Sequence, residues 1–591
     1  MKEFFRSFFA SLLAIIVSGI LAVLLIIGIV VGISKSLTEK EDKKTSGDVL
    51  VIDLSKKIYE LGERNSLSLL SDGPGYKAGL YDVLQSISYA KTDNEIKGIL
   101  LKLSPSPNGW ATLQQIQKAL LDFKSSGKFI YSYGELITQG AYFTATPSDS
   151  IFLNPAGFIE LKGFSTELSF FKGTLDKLEL QPEIFYAGRF KSATEPFRAE
   201  KMSEPNRIQV KAFQDGIWDQ YLGAVSGYTH TGKDTIHQRA QKGLVQFPED
   251  ALKYKLVAGL RYWDEVEQLI RNKVGKKEKE EVKYVSINDY ASGVPNTKIS
   301  EQKIAVLFAE GNIVDGEQNN DREIASKTFC EEIRKIRKND KIKAVVLRVN
   351  SPGGSALASE VILRELMLLK QKKHLVISMG DYAASGGYYI SSMADSIFAL
   401  PNTITGSIGV FGMLFSVDKL MKNKLGVTFD GVKNAPYADF PTATRPLTAD
   451  EASRMQTSID TIYARFKDHV VNGRRLKQSD VDSIAQGRVW TGSDALKNGL
   501  VDRLGGLDLA IASAASLAKI TDYKVVTYPE PVDKFNSLMK KINANTEMKA
   551  AVKTAMKEEI GDGYDWIEKL RDLQQMNGRA MMAMPFIMKV D

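Results

Sequence analysis

The chain has 591 residues, 43% hydrophobic and 25% charged, with a net charge of +7 spread along its length. That length exceeds a single domain, and without a basic block interleaved with aromatics a nucleic-acid partner is unsupported. One cysteine, Cys330, excludes an intrachain disulfide and a cysteine metal cluster, and the four histidines (His230, His237, His374, His469) form no HExxH pattern, so no metal is expected.

Phe8 to Ile33 is a 26-residue run without a charged side chain. As a helix it reaches about 39 Å, enough to cross a hydrocarbon core of roughly 30 Å with some tilt. It is too long for the h-region of a cleaved signal peptide, and no clear A-x-A site follows it. Residues 1–45 are therefore predicted to be an uncleaved anchor with its juxtamembrane linker. Two Lys/Arg residues precede the run and four follow it, which leaves the orientation in the membrane open.

Beyond the anchor the chain repeats itself. Glu95 to Leu103 matches Lys341 to Val349 at an offset of 246, and Asp149-Ser150-Ile151-Phe152 recurs as Asp395-Ser396-Ile397-Phe398 at the same offset. Near the ends, Asp250-Ala251-Leu252-Lys253 matches Asp494-Ala495-Leu496-Lys497 at 244. Two copies of one unit follow, 46–290 and 300–530, with the charged stretch Lys273–Glu281 read as a linker region between them. In the second copy, Ile304–Phe308, Ala344–Val349, Leu375–Met379 and Ser396–Leu400 are continuous apolar runs, predicted to be buried strands. Ser359–Leu369 and Asp450–Asn472 have helical periodicity. Strands alternating with helices predict an α/β unit. Residues 531–591 form a C-terminal tail, with amphipathic helices predicted at 536–559 and 564–576; disorder is the alternative for its last fifteen residues.

Within the second copy, Gly380-Asp381-Tyr382-Ala383-Ala384-Ser385-Gly386-Gly387-Tyr388 stands between a predicted strand and a helical run from Tyr388 to Ala394. Small residues on both sides of Ser385 suit a sharp strand-to-helix turn, and N–H groups at the helix start favour developing negative charge. That is the layout of a nucleophile beside an oxyanion hole, although a plain turn or helix cap uses the same residues. The first copy carries Gln139 at the serine's position and Ser104-Pro105-Ser106-Pro107-Asn108-Gly109 where the second has Asn350-Ser351-Pro352-Gly353-Gly354-Ser355. Conversely, Lys191 of the first copy falls on Ala435 of the second. One copy holds a serine without a lysine, the other a lysine without a serine. A lysine buried enough to lose its proton can serve such a serine as general base.

The chain resembles the signal peptide peptidase A (protease IV) family in its long, duplicated, membrane-anchored form. The resemblance is carried by Asn350 to Ser355, Ala384 to Tyr388, Thr405-Gly406-Ser407-Ile408-Gly409, Lys191-Ser192-Ala193 with Glu195-Pro196-Phe197, and Gly487-Arg488-Val489-Trp490-Thr491-Gly492. It implies two tandem crotonase/Clp-protease-like α/β units after one N-terminal transmembrane helix. It also implies Ser385 as nucleophile, Lys191 as general base reaching across from the first copy, Gly386 and Gly354 as oxyanion-hole donors, and Ser407 as the hydroxyl that orients the lysine. The expected activity is a Ser/Lys endopeptidase degrading hydrophobic signal-peptide remnants, with no cofactor. The expected setting is the bacterial inner membrane, single-pass, with a periplasmic catalytic domain and a homotetrameric assembly. A non-catalytic scaffold of the same fold and a crotonase-type acyl-CoA enzyme are the alternatives.

Overall fold

The computed structural model describes residues 46–64, 75–295, 300–318, 322–530 and 580–584. The apolar run Phe8–Ile33 and the helices predicted at 536–559 and 564–576 lie outside these residues. Among the described residues, no helix is long and apolar enough to cross a membrane.

The chain has a mixed α/β architecture in which each copy builds its own largely parallel sheet. The first runs in the order Gly259–Leu260, Ser150–Ile159, Phe129–Ile137, Gly98–Leu103, Val49–Asp53, Tyr284–Ser286, every neighbouring pair parallel. The second runs Val489–Thr491, Ile404–Gly406, His374–Ala384, Ile342–Ser351, Lys303–Glu310, Lys524–Tyr528, and Val489–Thr491 is antiparallel to its neighbour. The apolar runs are continuous because both faces are covered: Ala305, Leu307 and Ala309 enter one core, while Ile304, Val306 and Phe308 enter another. Lys273–Glu281 is a largely exposed turn inside the first unit, because Tyr284–Ser286 returns to pair with Val49–Val51.

The duplication is visible atom by atom. Helices Trp110–Lys124 and Ala356–Lys370 correspond at the offset of 246. Tyr142 donates its hydroxyl to the Leu256 carbonyl at 2.6 Å, and Tyr388 to the Leu500 carbonyl at 2.9 Å. Asp149 accepts from the Ile130 N–H and Asp395 from the Leu375 N–H, each at 2.9 Å.

The two units are locked together by buried polar groups. Ser355 caps its own helix, its side chain accepting from the Ala358 N–H. The counterpart in the first copy is Gly109, which has no side chain for the task. Asp381 of the second unit replaces it, accepting from the Thr112 N–H at 2.8 Å and its hydroxyl at 2.7 Å. Arg348, fully buried, forms a two-pronged pair with Glu60. A third sheet then draws on both units, in the order Glu323–Ala325, Asn312–Val314, Gly353–Ser355, Ala580–Ala583, Val410–Ser416, Gln181–Ala187. Within the tail predicted to be helical, residues 580–583 are thus a strand, held between two backbone edges that would otherwise be unpaired.

Candidate active site

The stretch around Ser385 departs locally from its sequence reading. The strand does not stop at Met379 but continues to Ala384, because Tyr382, Ala383 and Ala384 pair with Ile404, Thr405 and Gly406. The helix begins at Gly386, directly after the serine. Ser385 itself takes φ 54° and ψ −113°, a conformation that non-glycine residues adopt only when their surroundings enforce it. Two backbone bonds do so: its N–H donates to the Gly406 carbonyl and its carbonyl accepts from the Tyr389 N–H, both at 2.8 Å.

Lys191 reaches this serine from the other unit. Strand Gln181–Ala187 pairs antiparallel with Val410–Ser416 along its whole length, from Ala187 opposite Val410 to Gln181 opposite Ser416. The chain then turns at Gly188, and the Phe190 N–H donates to the Gln486 carbonyl at 2.8 Å. Lys191 Nζ ends 2.8 Å from Ser385 Oγ, 3.1 Å from Ser407 Oγ and 3.2 Å from the Ser407 carbonyl. Ser407 also has a positive φ, 51°, and its N–H is held by the Arg488 carbonyl at 2.7 Å.

The lysine is 1% exposed and both serines are 0%. All three of its partners are neutral, and burial pushes its pKa well below the ordinary lysine value. The partner set suits an uncharged amine. Two N–H bonds can go to the Ser407 oxygens, which leaves the lone pair for the Ser385 hydroxyl proton.

Gly386 follows the serine at the head of the helix, and Gly353 lies against it: a Cβ at Gly353 would fall 2.7 Å from the Gly386 nitrogen. Gly354, next in the strand, packs against the Ile313 carbonyl, where a Cβ would sit at 2.0 Å. Ser385, Lys191, Ser407 and Gly386 are therefore brought together, with the Gly353–Gly354 turn beside them. The equivalent place in the first copy is filled. Gln139 accepts from the Lys162 and Gly163 N–H groups, each at 3.0 Å, and donates to the Gly163 carbonyl at 2.9 Å.

Two positioning residues carried no assigned role in the sequence. Gly487, at φ 74°, packs so closely on Lys191 that a Cβ would come within 2.7 Å of the lysine's own Cβ and nitrogen. Gln209 donates to the Phe190 carbonyl at 3.1 Å and to Ser192 Oγ at 3.0 Å, and accepts from the Val489 N–H at 3.3 Å. It ties the lysine's segment to the Gly487–Gly492 motif. The motif was legible in the sequence, whereas Gln209 left no signal on the face of a long helix.

Comparison with known proteins identifies the family. The profile of peptidase family S49 matches residues 122–277 and again 367–521, and that of Clp protease matches residues 296–405. Protease 4 of Salmonella typhi is 39% identical over 461 residues, covering 76% of this chain and 74% of the relative. The chloroplastic serine protease SPPA of Arabidopsis thaliana is 33% identical over 449 residues, 75% of this chain and 66% of the relative. A putative signal peptide peptidase SppA of Enterococcus faecium is 32% identical over 258 residues, 44% of this chain and 73% of the relative. The chain belongs to peptidase family S49 and is a serine peptidase.

Proposed function

We propose that the chain is a membrane-anchored endopeptidase that degrades apolar peptides, the signal-peptide remnants left after preprotein processing, with Ser385 as nucleophile and Lys191 as general base. The observation that carries this reading is the buried 2.8 Å contact between Lys191 Nζ and Ser385 Oγ. Neutral Lys191 takes the hydroxyl proton as Oγ bonds to the scissile carbonyl carbon. Gly386 and Gly354 N–H groups receive the oxyanion, and loss of one such donor typically costs about 3–4 kcal/mol. Protonated Lys191 then gives its proton to the departing amine as the C–N bond breaks, leaving an acyl-enzyme. Water, deprotonated by the same amine, hydrolyses it. Ser407 holds the amine on line through both of its oxygens. No step calls for a cofactor.

The substrate class draws on the resemblance and on the printed names of the relatives. The anchor draws on the uncharged run Phe8–Ile33, which would keep the enzyme in a membrane where apolar peptides accumulate; the bacterial inner-membrane setting and the periplasmic side for the catalytic units draw on the resemblance. Homotetrameric assembly has one structural support. The second-copy counterpart of the lysine-bearing strand, Leu425–Gly431 at the offset of 244, is not a strand and exposes Leu425, Val427 and Phe429. Repeating the first-to-second contact between chains makes a head-to-tail interface of the kind that closes rings.

The test is labelling by a fluorophosphonate together with turnover of an apolar peptide ester. Wild type should be labelled and active, and Ser385→Ala neither. Equal labelling of both proteins would remove Ser385 from the mechanism.

A further inference from the structure

The net charge of +7 is spread along the sequence, but the fold gathers basic residues at one edge of the second sheet. Lys303–Glu310, Ile342–Ser351, His374–Ala384 and Lys524–Tyr528 run parallel, so their first residues share that edge, with Lys524 opposite Lys303 and Lys303 opposite Ile342. The two loops that enter it, 335–343 and 370–374, carry eight lysines and arginines against one aspartate. Lys373 is spent on the fold, donating to the Asn339 carbonyl and, at 2.8 Å, to that of Ile342. Burial lowers its pKa, and the charges of Lys343 and Lys372 push the same way, which places both beside it. Lys338, Lys343 and Lys372 are exposed, and among the described residues none of them has a carboxylate partner.

The fold does not require this charge. The first unit builds the same edge with Asp48, Thr92, Glu95 and Ser126 in the places of Lys303, Lys338, Lys341 and Lys372. Like charges side by side on a sheet repel, so the second unit carries a destabilising arrangement that the first avoids.

The path of the chain says what this edge faces. The Asp48 N–H donates to the Lys283 carbonyl at 2.7 Å, so the segment that follows the uncharged run Phe8–Ile33 enters the first sheet at that sheet's own N-terminal edge. Residues 34–45, between that run and Ser46, can span at most about 45 Å. The first unit also ends at this edge: helix Ile287–Gly293 turns back from Tyr284–Ser286, and the Tyr290 hydroxyl donates at 2.7 Å to Asp93, in the loop entering Gly98–Leu103. Pro295 and Ser300 are five residues apart and so within about 18 Å of each other. Ser300 already stands at the second edge, donating at 3.2 Å to the Asp522 carbonyl just ahead of Lys524. The two N-terminal edges therefore lie near each other and near the tether.

We propose that the basic edge of the second unit is a membrane seat, its exposed lysines binding the phosphates of anionic lipid headgroups in the bilayer that holds the anchor. This rests on the reading of Phe8–Ile33 as an anchor. A cluster of lysines beside a negatively charged surface binds it electrostatically, and salt weakens the contact. His374 opens the strand that ends at Ala384, so a seated edge holds Ser385 a strand's length away from the bilayer.

The test uses the full chain in vesicles of phosphatidylcholine, alone or mixed with phosphatidylglycerol. Acylation by a water-soluble succinimidyl ester is read lysine by lysine by mass spectrometry, with Lys201 and Lys211, exposed elsewhere, as references. Lys338, Lys343 and Lys372 should react about tenfold more slowly in the anionic vesicles, and high salt should remove the difference. Equal rates in both vesicles overturn the proposal. Glycerol phosphate or polyglutamate in solution, protecting these lysines as well as the vesicles do, would assign the edge to a soluble anion or an acidic chain and overturn it too. Giving the edge the first unit's residues, with Lys338→Thr, Lys341→Glu and Lys372→Ser, should abolish the protection of Lys343 and leave turnover of an apolar peptide ester unchanged. Lys343 still protected in that variant would also sink the seat. Alkaline carbonate separates this proposal from the anchor. A chain extracted from both kinds of vesicle sinks the anchor, while salt-sensitive protection in the anionic ones retains the seat. A chain that resists extraction and shows equal lysine rates retains the anchor and sinks the seat.

Discussion

Lys191 Nζ lies 2.8 Å from Ser385 Oγ although 194 residues separate them in the chain. The contact depends on a strand that leaves its own unit: Gln181–Ala187 pairs from end to end with Val410–Ser416 and delivers the lysine beside the serine of the other copy. Neither copy can assemble the pair alone, since the corresponding positions are Gln139 and Ala435.

If the amine is the base, its charge state matters as much as its position. Lys191→Ala and Ser385→Ala should each lower kcat/KM for an apolar ester by about a thousandfold or more, as removal of a group acting in a unit does. Lys191→Arg should fare no better, because a guanidinium stays protonated. An arginine variant with a tenth of wild-type activity would rule out the base role.

The pH profile follows from the direction of the lysine's shift. Desolvation disfavours the charged amine, so its pKa lies well below the ordinary lysine value. Activity should rise with pH as Lys191 loses its proton and reach a plateau before ordinary lysines titrate, near pH 10.4. Initial rates measured between about pH 6 and 10 check this, and a flat profile would exclude a titrating lysine base.

The same burial should be visible in stability. A lysine whose folded pKa is depressed binds fewer protons folded than unfolded, so its contribution to stability improves with pH between the folded value and the unfolded one. Wild type should therefore gain on Lys191→Met as pH rises through that window, by at most about 1.4 kcal/mol per pH unit. Urea unfolding of both proteins at several pH values measures the difference. A constant difference would contradict a neutral, buried amine.

The junction between units offers a separate test. Arg348 is fully buried with Glu60, a residue of the first copy, and also donates to Ser378 Oγ and the Met379 carbonyl, on the strand leading to Ser385. Glu60→Ala would strand the guanidinium and should cost about 3–5 kcal/mol. Glu60→Leu with Arg348→Met, which removes both charges, should recover most of that loss. Denaturant midpoints of the three proteins decide it; equal loss in single and double variants would mean that packing and not charge is at stake.

Much of the fold was legible because it is local. Strands Lys303–Glu310 and Ile342–Ser351 contain the apolar runs seen in the sequence, and helix Ala449–Arg474 contains the periodic stretch Asp450–Asn472. The repeat was legible too, since it needs only a constant offset. Positions where local chemistry is ambiguous were not. Tyr382–Ala384 reads as part of a turn by composition but is strand, because Ile404–Gly406 supplies its pairing partners. Residues 580–583 likewise take their conformation from edges some 170 and 230 residues away in sequence.

By itself the sequence determined the duplication, the α/β alternation and the complementary loss of serine from one copy and lysine from the other. All of these are recorded in residue identity and spacing. Only the tertiary structure decided that the two halves of the site meet, that Lys191 is buried among neutral partners, and that the tail strand lies across the glycines beside Ser385. Each of these depends on backbone edges and desolvation created by segments far apart in the chain, and neither quantity exists before the chain has folded.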